Sequence, residues 1–111
     1  MKTILTALFL SIISITFSQV GGKIANDKRP ITQPINFEVT GTKPGEIYFT
    51  ISVNEAGDVI SCKVIKSKTT VFSTPTTVKA RNLITSKLKF EADSSYPQFH
   101  IGYVLITVIK P

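Results

Sequence analysis

Apolar and polar residues alternate over residues 45–53, GEIYFTISV. Ile47, Phe49, Ile51 and Val53 fall on one side of an extended chain and Tyr48, Thr50 and Ser52 on the other, which predicts a β-strand. Residues 54–58, NEAGD, interrupt the pattern. Gly57 supplies a positive φ there, and Asn54 and Asp58 suit the polar ends of a turn. Alternation resumes in VISCKVIKS, with Ile60, Cys62 and Val64 on one side and Ser61, Lys63 and Ile65 on the other. Two such runs joined by a short Gly-containing loop make an antiparallel hairpin. The period then changes. Ala80, Leu83, Ile84 and Leu88 recur at helical steps, predicting an amphipathic helix over residues 75–87. Val78 extends its apolar side, Ser73 or Thr74 caps it, Pro75 fits its first turn, and Lys87 and Lys89 lie where the helix dipole favours cations. After the polar loop EADSSYP, the run QFHIGYVLITVIK is apolar on both sides, as in a central strand or an edge that a partner covers. Gly102 within it predicts a bulge or a close backbone approach.

The chain before Gly45 lacks this regularity. Gly21, Gly22, Pro30, Pro34, Gly41 and Pro44 exclude a long helix from residues 19–44. Only INFEV, residues 35–39, alternates enough for a short strand, and residues 19–29 are expected to be a partly ordered tail. Residues 1–18 have one lysine, an apolar and hydroxyl run, and small residues at Thr16 and Ser18, the pattern of a secretory signal peptide cleaved after Ser18. The competing assignment is an uncleaved anchor, which needs a run of about 17–25 apolar residues. With cleavage the protein is expected to be periplasmic or secreted, with a mature form that does not span the membrane; an uncleaved N-terminal anchor is the alternative. Residues 19–44 are then an irregular leader and residues 45–111 a single small domain. The expected fold is α+β: a three-stranded antiparallel sheet with one helix on one face, in the order β-β-α-β.

That order, with its sequence cues, resembles the C-terminal domain of the TonB energy-transducer family. GEIYFTISVNEAGDVISCKVIKS is similar to the family's opening strands around a turn glycine. LKFEA is similar to its helix exit, W-x-F-x-P-A: Leu88 stands where an aromatic is common, Phe90 matches, and Ala92 falls where alanine or proline is expected. IGYVLITVIK is similar to the closing strand, with Val108 near the usual Phe. The resemblance covers residues 45–110. It implies a non-enzymatic protein-interaction module that binds outer-membrane TonB-dependent transporters, or another envelope protein, by β-augmentation: an extended peptide adds beside the last strand. The partner-binding edge would be Phe99, Ile101, Tyr103, Leu105, Ile106 and Thr107. The sequence departs from the family in two places. The leader replaces a long Pro-rich spacer and reaches at most about 85–95 Å when fully extended. RPITQPINFEV stands where the family has a Tyr-Pro motif. Both departures point to a small stand-alone secreted relative.

Charge adds an alternative. The net charge is +6, but only two arginines, Arg29 and Arg81, contribute, and the lysines are spread out. A nucleic-acid surface gathers Arg and Lys on one face, so nucleic acid is not expected. Lys63, Lys66 and Lys68 form the closest group and suit a stand-alone basic protein that binds acidic surface ligands of the envelope. A homodimer through the last strand is a third option, since the same edge pairs with a second copy. The chemistry-bearing residues are few. Cys62 is the lone cysteine, so no intrachain disulfide is available, and its alternating context predicts a buried, inert thiol. His100, the single histidine, is expected as an exposed or hydrogen-bonded strand residue. Glu91 and Asp93 belong to a solvated loop. No nucleophile–base set or metal-ligand spacing appears, so neither catalysis nor a cofactor is expected.

Overall fold

The computed structural model describes residues 19–111. The signal peptide expected over residues 1–18 lies outside the described residues. The fold is a small α+β structure with mostly antiparallel sheets and two helices. The hairpin forms as its alternation predicts: β4 (Gly45–Val53) and β5 (Val59–Val64) pair antiparallel, Phe49 opposite Val64 and Ile51 opposite Cys62. A bulge near Ser52 and Val53 leaves Ile60 out of register. On its other side β4 pairs along its whole length with β7 (His100–Ile109), from Gly45 opposite Val108 to Val53 opposite His100. The helix α2 (Thr74–Lys87) follows β5 in the chain and lies over one face of the sheet.

The leader corrects the expected three strands to five. β1 (Val20–Gly21) pairs antiparallel with β7, Val20 opposite Val104, and β3 (Glu38–Thr40) pairs parallel with it, Val39 opposite Val108. Between them lie a one-turn helix, α1 (Lys23–Asn26), and β2 (Ile31–Gln33), which pairs with β6 (Lys89–Phe90) in a separate two-stranded sheet. Residues 19–29 are therefore no tail. Val20, Ile24 and Val39 are buried in the same core as the domain's own strands. The strand expected over residues 35–39 is displaced to 38–40, where it meets the free backbone of β7.

Gly102 makes this leader packing possible. A Cβ there would stand 2.8 Å from Ile24 Cδ1 and 2.9 Å from the Gly21 carbonyl oxygen. The close backbone approach expected at this glycine is the approach of β1 and α1. Above it the core is built from Ile47, Phe49, Ile51 and Val53 of β4 and Val104, Ile106 and Val108 of β7, facing Ala80, Ile84 and Leu88. These helix residues recur on one side, as the helical period requires. Val78 does not join them; it is exposed, pointing away from the core. Ser73 occupies the N-cap position without a capping side-chain bond, and Thr77 Oγ1 instead donates to the Ser73 carbonyl at 2.8 Å.

The hairpin turn holds as its residues predict. Asp58 N–H donates to Asn54 Oδ1 at 2.9 Å, and Gly57 adopts φ 89. A Cβ on Gly57 would also run into the main-chain carbonyl of Phe90. Gly57→Ala combines left-handed strain with a backbone clash, and is expected to cost upward of about 2 kcal/mol in urea unfolding; a loss within a few tenths would show that the turn relaxes freely.

Candidate functional site

Phe99, Ile101, Tyr103, Leu105, Ile106 and Thr107 do not form a free edge. β7 has β4 on one side and β1 and β3 on the other. Its outward N–H groups are bonded: Leu105 N–H donates to the Gln19 carbonyl at 3.0 Å, and Thr107 N–H to the Phe37 carbonyl at 2.9 Å. The strand is apolar on both sides because it is central. Ile106 is fully buried under α2, while Ile101, Tyr103, Leu105 and Thr107 lie on the opposite, helix-free face, and Phe99 is exposed just before the strand. Lys68 stands over the Tyr48 and Tyr103 rings of this open face, 6.0 and 5.5 Å from their centroids.

The longest edge without a partner among the described residues is at the other end of the sheet, since β1 and β3, which pair only with β7, are two and three residues long. Among the described residues, Val59–Val64 pairs only with β4. Ile65 N–H donates to the Tyr48 carbonyl at 2.7 Å. By the alternation of an antiparallel ladder, Lys63 and Ser61 also turn their backbone groups toward β4, and Cys62 and Val64 turn theirs outward. The side chains alternate too. Cys62 and Val64 share the helix side with Ile51 and Phe49, and Lys63 projects from the open face with Thr50.

Beside this edge lies a groove of about 250 Å³ between β5 and α2, lined by Val64, Lys66, Val71, Phe72, Val78 and Arg81. Phe72 is 65% exposed and Val78 42%. Phe72, just before α2, and Val78 on α2 reach solvent here, where β5 has no outer neighbour among the described residues. Arg81 Nε is buried against the groove and has no hydrogen-bond partner among the described residues. Cys62, half-buried behind it, has its thiol pushed up to about 12 by burial, against the pull of the Arg81 charge. The neutral thiol is therefore the stable form across ordinary pH, and the thiolate is the reactive species. Native protein at pH 8 is expected to alkylate with iodoacetamide far more slowly than the urea-unfolded chain; equal rates would show that the thiol is not held back.

A second cluster joins the leader to the body, and sequence spacing gave no sign of it. Arg29 and His100 are each only 1% exposed. Arg29 Nη2 donates to the carbonyls of Asn54 at 2.8 Å and Glu91 at 2.7 Å, and Nε donates to the same Glu91 carbonyl at 3.0 Å. Its guanidinium lies 4.1 Å from the Tyr96 ring centroid. Burial lowers its pKa, while Tyr96 and Glu91 pull it back up. Arg29 Nη1 is 3.2 Å from His100 Nδ1, and His100 Nε2 is 2.8 Å from Asp27 Oδ2. Arginine only donates, so Nδ1 accepts, and the ring proton resides on Nε2, where it is given to Asp27. Both ring nitrogens are thus engaged within the fold. Tyr96 completes the cluster by donating its hydroxyl to Glu91 Oε1 at 2.8 Å, which raises its own pKa.

Among the described residues no helix is long and apolar enough to cross a membrane. Compared with known proteins, the chain matches no family model, no curated protein and no solved structure.

Proposed function

We propose that this chain is a non-enzymatic protein-interaction module of the bacterial envelope that binds an extended peptide by strand addition, and that the peptide adds to β5. The observation that carries this reading is the contrast between the two sides of the main sheet. The chain's own leader fills the edge of β7, whereas β5 leaves its outward N–H and C=O groups unpaired beside an apolar groove. An unpaired edge is a template for a further strand, and a groove beside it selects alternate side chains. Resemblance of the hairpin, helix and last strand to the TonB C-terminal domain supports the envelope setting. In that family the peptide adds beside the last strand. Here a transporter peptide on β7 would have to displace β1 and β3, together with the buried Val20, Ile24 and Val39.

The basic-surface alternative is less well supported. Lys63 projects from the open face, Lys66 lines the groove, and Lys68 is engaged over two aromatic rings, so the three lysines do not make one cationic face. The test is selection of a displayed linear-peptide library on residues 19–111, which contain the whole described core, followed by N-methyl scanning of the enriched peptides. Strand addition predicts that N-methylation abolishes binding at every second position and is tolerated between them. Binding insensitive to N-methylation throughout, or no enriched peptide at all, would contradict it.

A further inference from the structure

The geometry points to an acidic peptide, alternating apolar and carboxylate side chains, as the occupant of the β5 edge, an assignment that rests on the strand-addition reading above. A strand paired to β5 sends alternate side chains to opposite faces. Those on the helix side enter the groove floored by Val64, Val71, Phe72 and Val78, which accepts apolar groups. Those on the open side stand across from Lys63, where an opposite charge is the favourable cross-strand neighbour. The groove itself carries the cationic side chains of Lys66 and Arg81. Because the peptide's side chains on this side are apolar, only its terminal carboxylate can meet these cations, while its side-chain carboxylates face Lys63. No acidic residue lines the groove to compete for these cations.

The same charges argue against a second copy of the chain. Antiparallel pairing of two β5 edges brings Lys63, Lys66 and Arg81 of one molecule against those of the other, and like charges across a strand pair are destabilising. Lysine and a bulge on an edge strand are also the usual protection against self-pairing. Both features leave an acidic strand unopposed.

The experiment is an amide-resolved titration of isotope-labelled residues 19–111 with three synthetic eight-residue peptides alternating valine with glutamate, with lysine or with threonine. Only the Val-Glu peptide is expected to slow hydrogen exchange at Cys62 and Val64, and Lys63→Gln, opposite its glutamates, should weaken it about threefold, the size of one cross-strand charge pair. Phe72→Ser, at an exposed position that leaves the core intact, should weaken it as well. Raising the salt should loosen the complex. Equal protection by all three peptides, or by Val-Thr alone, would leave strand addition standing and overturn the acidic partner. Val-Glu binding that shifts lysine signals without protecting Cys62 and Val64 would overturn strand addition itself. Protection that grows with protein concentration and no peptide would assign the edge to a second copy and overturn the inference.

Discussion

A chain that begins at Gly45 is expected not to fold, although residues 45–111 contain the hairpin, the long helix and the last strand. Removing the leader takes Val20, Ile24 and Val39 out of the core, each at most 7% exposed. Burying one such side chain contributes about 1.5–3 kcal/mol, so the three together contribute about 5–9 kcal/mol. That matches the whole stability of a small domain, about 5–15 kcal/mol. The truncation also strips the Arg29 cluster and leaves the Ile24 space above Gly102 empty. Residues 19–111 should show a cooperative thermal transition and a dispersed amide spectrum, and residues 45–111 neither. A dispersed spectrum for the shorter chain, melting within a few degrees of the longer one, would show that the leader only decorates a self-sufficient domain.

Loss of the Arg29 side chain is the second large effect. Arg29→Met retains much of the volume but leaves the Glu91 carbonyl and His100 Nδ1 without their donor, while the Asn54 carbonyl keeps the Gly57 N–H. An unpaired buried acceptor costs about 1–3 kcal/mol, so the two together place the variant about 2–6 kcal/mol below the parent. For a domain of this size that corresponds to a melting point lower by at least about 8 °C. Arg29→Lys should recover little, because one ammonium cannot reproduce a fork that bonds two main-chain carbonyls from a fixed plane. Full recovery by lysine would mean that the charge matters and the fork does not.

These effects follow from interactions that the sequence shows unevenly. The hairpin and the helix announce themselves because each is long enough for its period to repeat; the helix expected over residues 75–87 occupies Thr74–Lys87. β1 and β3 are two and three residues long, too short for any period. What makes them strands is the unpaired backbone of β7, far along the chain; the alternation of residues 35–39 hints at β3, nothing local marks β1, and Gly102 in β7 lets the leader approach. The last strand's double-sided apolar pattern fits both a central strand and a covered edge, and pairing partners from the leader decide for the former. The β5 edge is exposed for the same reason. Once β7 is enclosed, the sheet ends at the short β1 and β3 on one side and at the hairpin's return strand on the other. The Arg29 cluster is invisible to spacing altogether, since it joins the sole histidine to an arginine 71 residues away.

Hydrogen exchange at four amides tests the central claim most directly. If the leader seals β7 and β5 is the open edge, Leu105 and Thr107 will be protected close to the global unfolding limit, while Cys62 and Val64 exchange quickly in the free protein. The reverse pattern, fast exchange at Leu105 and Thr107 with protection at Cys62 and Val64, would return the working edge to the last strand and contradict the account.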